Sequence, residues 1–145
     1  MKVFYPILVG LLSAPIASVV VTLATYGVFC LFMAENQGRR GLLAGVLGIP
    51  VGLFTGFIVG HTVTTWLLFS SYTLWRSLAL GLLIAVPAAI IVGGLGLILG
   101  THLAEARGIS NYAGERAAWG LFHVALPAAV LIGIAAFLLG RLLAR

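Results

Sequence analysis

The sequence predicts an all-α integral membrane protein with four transmembrane helices, on the evidence of its composition, its charge distribution and its long apolar runs. The chain has 145 residues, of which 62% are hydrophobic and 8% are charged. In a water-soluble domain about a quarter of all residues are charged. The eight basic and three acidic side chains lie in short clusters between the apolar runs. The chain therefore fits a single transmembrane bundle, residues 1–145, without a separate soluble domain.

Each apolar run exceeds the roughly 20 residues that an α-helix needs to cross the hydrocarbon core of a bilayer. The runs are Val3–Met33, Gly41–Phe69, Leu78–Gly100 and Ala117–Leu139. We expect the first run to be retained as a helix, because it is much longer than the apolar core of a cleaved signal peptide. The short connections predict antiparallel neighbouring helices, with both termini on one side of the membrane.

The orientation in the membrane is not decided by the basic residues. Four of them fall on the side of the termini and four on the opposite side, so the positive-inside rule gives a tie. Our working expectation is cytoplasmic termini, in a bacterial inner (cytoplasmic) membrane or a thylakoid-type membrane. The net charge of +5 indicates contact with anionic lipid headgroups, because so few exposed residues cannot form a nucleic-acid surface.

An internal repeat is indicated by a proline inside each apolar run, with a small residue two positions before it and another two positions after it. These prolines are Pro15, Pro50, Pro87 and Pro127. The segments Met33–Gly38 and Leu103–Gly108, which close the first and third runs, also resemble each other. Together they predict a tandem duplication of a two-helix hairpin, residues 1–70 and 71–145. The alternative is that glycine- and alanine-rich helices look alike without common origin.

Rows of small residues at i, i+4 spacing run along the second and third helices. They are Gly48, Gly52, Gly56 and Gly60 on the second helix, and Gly81, Ala85, Ala89 and Gly93 on the third. Lipid provides little hydrophobic drive for helix association, so close backbone contact along such rows is expected to hold helices together as a glycine zipper. We expect these two helices to form the central packed pair. There are two alternatives. The closely packed helices let an assembly flex around a path through the membrane, or a row of small residues faces a second protein.

The carboxylates Glu35, Glu105 and Glu115 lie on the side opposite the termini. A carboxylate at the C-terminus of a helix opposes the helix dipole, so nearby arginines are expected to compensate Glu35 and Glu105. The glutamates form either an interfacial salt-bridge cluster or an entry site for an ion or substrate. His102 and His123 belong to the same side, but their spacing from the glutamates matches no metal signature, so no metal site is predicted.

His61 lies within the second apolar run, directly after the glycine row. An ionisable side chain inside a membrane segment is a functional candidate by default. Three roles are open for His61: a hydrogen-bonded structural residue, a proton relay, or an axial ligand of haem or chlorophyll. His102 and His123 belong to the opposite side of the membrane, so His61 has no second histidine at its depth. We therefore predict no cofactor.

In outline the chain resembles the proteolipids of rotary ATPases, which are glycine-rich duplicated hairpins of about this size. That family carries its ion on a carboxylate at mid-membrane, whereas every glutamate here lies in a loop or at a helix end. Four-helix multidrug exporters are excluded for the same reason, because the first helix has no acidic residue before Glu35. The sequence therefore assigns no family.

Three functions compete at this point. The first is a non-catalytic accessory or assembly subunit, not an enzyme, that packs against other subunits of a larger membrane complex or against itself. The second is a small oligomeric channel or transporter with an entry for a solute or ion near Glu35 and Glu105. The third is a carrier of a cofactor ligated by His61, His102 or His123.

Overall fold

The computed structural model describes residues 2–32, 37–70 and 72–144, except for the side chains at positions 37 and 38. Within these residues the fold is entirely helical and contains no strand. The helices are α1 (Phe4–Phe32), α2 (Gln37–Leu68), α3 (Leu74–Ala106), α4 (Ala113–Gly120) and α5 (Leu126–Leu143). A π-helical turn, Leu121–Ala125, joins α4 to α5, so the two form one continuous run.

Four helical stretches of the described residues are long and apolar enough to cross a membrane, which confirms the predicted transmembrane helices. They are α1, the part of α2 from Arg39 onward, α3, and the run from α4 to α5. The third helix extends from Leu74 to Ala106, beyond the predicted Leu78–Gly100. A helix satisfies its own backbone hydrogen bonds, so it persists into the headgroup layer even where its side chains are polar.

The prolines are accommodated in two ways. Pro15, Pro50 and Pro87 lie inside α1, α2 and α3, each of which continues through its proline. Pro127 instead follows the π-helical turn, at the start of α5. A proline ring meets the carbonyl of residue i−4 in an α-helix, and a wider turn before the proline moves that carbonyl away.

The chain divides into two compact units, Met1–Leu74 and Trp75–Arg145. In the first unit, Gly48 lies against Thr22 and Gly60 lies against Ser13. The contacts run in opposite order along the two helices, so α1 and α2 form an antiparallel hairpin. A Cβ built at Gly56 would lie 2.5 Å from the Cβ of Ala17, a distance that no real side chain tolerates.

The glycine row of α2 therefore lies against α1. Every member of the row meets backbone or near-backbone atoms of α1 when a Cβ is added. The row is thus used inside the first hairpin, while the central pairing of the second and third helices stays a prediction. A hairpin brings sequence neighbours together first, and the small residues of α1, such as Ser13 and Ser18, give α2 a matching surface. The Ser13 hydroxyl donates to the Gly56 carbonyl at 2.7 Å and links the two helices.

The second unit is also an antiparallel hairpin, in which the small residues of α3 lie against the run from α4 to α5. A Cβ built at Gly81 would lie 2.8 Å from the Phe137 ring, and one built at Gly93 would lie 3.3 Å from the Ala129 Cβ. Ala85 is fully buried and Ala89 is half-buried. The row predicted on the third helix thus faces its own hairpin partner.

The π-helical turn keeps the last run in register with α3. Gly120, Ala125 and Ala129 contact α3 at Gly100, Gly96 and Gly93 respectively. The step from Gly120 to Ala125 is five residues, which in an α-helix would rotate the contact about 140° away from the interface. A π-helical turn takes more residues per revolution. It therefore returns Ala125 to the face that Gly120 occupies.

Candidate functional site

The polar side chains of the second unit gather where α3 ends and α4 begins, and we call them the loop-end cluster. Its members are Glu105, Arg107, Ser110, Glu115, Arg116, Trp119 and His123. Gly108 ends α3 in the left-handed region, with φ of 64°. The Gly108 N–H donates to the Glu105 carbonyl at 3.0 Å and the Ile109 N–H to the Ala104 carbonyl at 3.1 Å, which is a Schellman motif.

Both glutamates of the loop-end cluster are engaged by neighbouring side chains. Arg116 Nη1 lies 2.7 Å from Glu105 Oε1, so this ion pair joins the end of α3 to the start of α4. The positive charge of Arg116 compensates a carboxylate that opposes the dipole of α3. The Ser110 hydroxyl donates to the Glu115 carboxylate. Glu115 lies in the first turn of α4, where a negative charge is favourable.

In the aromatic part of the loop-end cluster, Arg107 and His123 both contact the Trp119 indole. The Arg107 guanidinium carbon lies 5.6 Å from the centre of the Trp119 indole. The His123 imidazole stacks on Trp119 with ring centres 4.6 Å apart and planes 14° apart. His123 Nδ1 lies 3.0 Å from the Trp119 carbonyl, which can only accept, so Nδ1 donates. The imidazole is thereby anchored to its own helix, and Nε2 is left as its other polar atom.

The candidate residues of the loop side are not brought together as one metal or catalytic site. His102 is exposed on α3, and Glu105 and Glu115 contact Arg116 and Ser110. Among the described residues, no three His, Cys, Asp or Glu side chains are grouped so that they could hold a metal ion. Glu35 lies outside the described residues.

His61 is buried in the first unit, with 7% of its surface exposed. Its ring stacks on Phe57 with centres 5.7 Å apart and planes 22° apart. Phe57 in turn lies against Gly10, where a built Cβ would be 3.0 Å from the phenyl ring. The Thr65 hydroxyl donates to the His61 carbonyl at 2.7 Å. His61 is thus a packed residue of α2, near the contact between α1 and α2.

Sequence reasoning missed a buried arginine. Arg141 is 5% exposed, and its Nε donates to the Ser77 hydroxyl at 3.3 Å. The side chain also covers Gly81, where a built Cβ would lie 3.3 Å from the Arg141 Cγ. Its position gave a usable signal, because Arg141 follows Gly133 and Phe137 at i, i+4 spacing on the packed face of α5. Counting it only as an interfacial charge overlooked that periodicity.

The described part of the chain is an all-helical, multi-pass integral membrane protein, with polar contacts at helix ends and inside each hairpin. No protein-family model, no curated protein and no solved structure matches the chain.

Proposed function

We propose that the chain is a non-catalytic accessory or assembly subunit of a larger membrane complex, which packs against other subunits or a second copy. The observation that carries this proposal is the open space around Gly27 of α1 and Gly94 of α3, inside spanning helices. Apart from its chain neighbours and the backbone of its own helix, a Cβ built at either glycine meets no atom of the described residues within 4 Å. Both positions are exposed.

A glycine inside a helix costs about 1 kcal/mol relative to alanine in water. At Gly52 or Gly100 this cost is offset by close contact with the partner helix of the same hairpin. Gly27 and Gly94 have no such contact among the described residues. A glycine on an outer helix face lets the backbone of another membrane helix approach closely. These positions therefore favour contact with a second polypeptide.

A non-catalytic role is supported by how the candidate side chains are used. Glu105 and Glu115 contact Arg116 and Ser110, and His123 is anchored through Nδ1 to the Trp119 carbonyl. Each of these contacts ties one part of the second hairpin to another. They give the titratable residues a structural role that does not need a substrate.

The decisive experiment is gentle extraction of the tagged full chain from its native membrane, followed by mass-spectrometric identification of stoichiometric companions. We expect such companions, or a stable oligomer, with the unchanged chain. Gly94→Leu fills the open space and is expected to release them. The matched control is Leu95→Ile at an exposed neighbour, which should retain them. A chain that runs alone as a monomer contradicts the proposal, as does a Gly94→Leu variant that retains every companion.

We also propose that the two hairpins are copies of one duplicated hairpin, each held by a glycine zipper. The matched prolines of the sequence and the small-residue contacts within both units support this. Cytoplasmic termini, in a bacterial inner or thylakoid-type membrane, belong to the same proposal. The sidedness can be tested with a membrane-impermeant thiol reagent on Asn111→Cys, in a Cys30→Ser background. In a bacterial inner membrane, labelling of intact cells from the outside is expected, and labelling only after lysis contradicts cytoplasmic termini.

A further inference from the structure

We propose that Arg107, which lies against Trp119, binds the phosphate of an anionic phospholipid headgroup. The argument begins with charge. The described carboxylates of the second unit are engaged by other groups, Glu105 by Arg116 and Glu115 by Ser110. Arg107 is exposed, and its contact is with the face of an uncharged indole. Its positive charge is therefore available to an anion from outside the chain.

The geometry leaves the donors of Arg107 accessible. A guanidinium that contacts an aromatic face still carries N–H groups in its own plane. Those donors match the oxygens of a phosphate group and can bind two of them at once. The contact with Trp119 limits the motion of the arginine side chain, so less conformational entropy is lost when the phosphate binds.

Trp119 has a second ring contact, with His123. His123 stacks on the indole face and donates from Nδ1 to the Trp119 carbonyl at 3.0 Å. The imidazole therefore acts as a positioning residue for the indole. This arrangement makes the platform under Arg107 rigid, because both the indole and the imidazole are tied to the same helical run.

The position of the stack selects a lipid over a free anion. Tryptophan in a membrane protein marks the level of the headgroups, where lipid phosphates lie. Arg107 immediately follows α3, and the charged residues around it form the end of the second hairpin. On the side toward the membrane centre, Phe122 and Pro127 are exposed and apolar. An acyl chain can lie along these residues while its phosphate reaches Arg107, whereas inorganic phosphate gains nothing there.

The test measures the thermal unfolding midpoint of the full chain in a neutral detergent. Phosphatidylglycerol, phosphatidylcholine with the same acyl chains, and inorganic phosphate are titrated separately. We expect phosphatidylglycerol to raise the midpoint at lower concentration than phosphatidylcholine, and phosphate to have little effect. Arg107→Gln should weaken the apparent affinity for phosphatidylglycerol about fivefold, the value expected for loss of one arginine near a membrane surface. Arg76→Gln, an exposed arginine at the other end of the unit, should weaken it less than Arg107→Gln does.

Trp119→Leu separates binding from a merely structural role. If Trp119 positions Arg107, this variant lowers the preference for phosphatidylglycerol over phosphatidylcholine. If Trp119 only stabilises the fold, all midpoints fall and the preference remains, which contradicts the proposal. The proposal is also overturned if Arg107→Gln keeps the preference of the unchanged chain, or if inorganic phosphate alone reproduces the shift. The latter result would assign a simple anion site.

Discussion

Gly100 of α3 and Gly120 of α4 approach each other so closely that a Cβ built on Gly100 would lie 2.6 Å from the Gly120 Cα. Only two glycines permit this crossing, because backbone atoms on both sides have no room to move. The contact lies directly beside the loop-end cluster. It therefore determines how the ends of α3 and α4 meet, and with them Glu105 and Arg116.

Gly100→Ala should destabilise the second hairpin by about 1–3 kcal/mol, the usual cost of forcing an extra carbon into a packed interface. The matched control is Gly94→Ala on the same helix, where a built Cβ meets nothing within 4 Å among the described residues. The free energy of unfolding in mixed detergent micelles measures both. Equal stability of the two variants would show that the Gly100–Gly120 contact does not support the hairpin.

Deletion of Phe122 should convert the π-helical turn to an α-helix and leave the second hairpin folded. The deletion places Gly120 and Ala125 four residues apart, a spacing that keeps both on one face of an α-helix. Deletion of Leu131, an exposed residue of α5, is the contrast, because no wide turn absorbs it and the contacts of α5 beyond it rotate by about 100°. Thermal unfolding in detergent compares them. A Phe122 deletion that is as unstable as the Leu131 deletion would argue against the register role of the turn.

Gly52→Ala should destabilise the first hairpin, because a Cβ at this position meets the backbone of Ser18 and the carbonyl of Ala17. The expected loss is again about 1–3 kcal/mol, since backbone atoms cannot yield as a flexible side chain does. Gly27→Ala, in open space on α1, serves as the control. Unfolding in mixed micelles should distinguish the two variants, and a stable Gly52→Ala variant would contradict the close packing of α1 on α2.

Ser13→Ala should lower the stability of the first hairpin by about 0.6 kcal/mol, the average for a hydrogen bond between membrane helices. The Ser13 hydroxyl donates across the interface to the Gly56 carbonyl, whereas the Ser18 hydroxyl donates to Pro15 within its own helix. Ser18→Ala is therefore the matched control and should change the free energy of unfolding less. If Ser18→Ala costs more than Ser13→Ala, the interhelical hydrogen bond is not the stabilising contact.

The spanning helices were predictable because hydropathy is a local property. Long apolar runs must be helical in lipid, where each backbone N–H and carbonyl needs a partner within the segment. The loop-end glutamates were likewise located by their position after an apolar run. Arg141 was misjudged because its distance from the chain end indicated an interfacial charge, while its i, i+4 relation to Phe137 indicated a packed face. The burial of a side chain depends on which helix packs against it, and the sequence of one apolar run does not specify that neighbour.

Local physical chemistry thus determined that this chain is helical and multi-pass, and it identified Gly48–Gly60 as a packing row. Tertiary structure alone decided that the row packs on α1 and that a π-helical turn carries Gly120 and Ala125 onto one face. It also decided that Arg107 and His123 both contact Trp119. The reason is that hydropathy and small-residue spacing do not depend on which helix lies opposite. The depth and rotation at which two helices meet arise only from the fit of their surfaces.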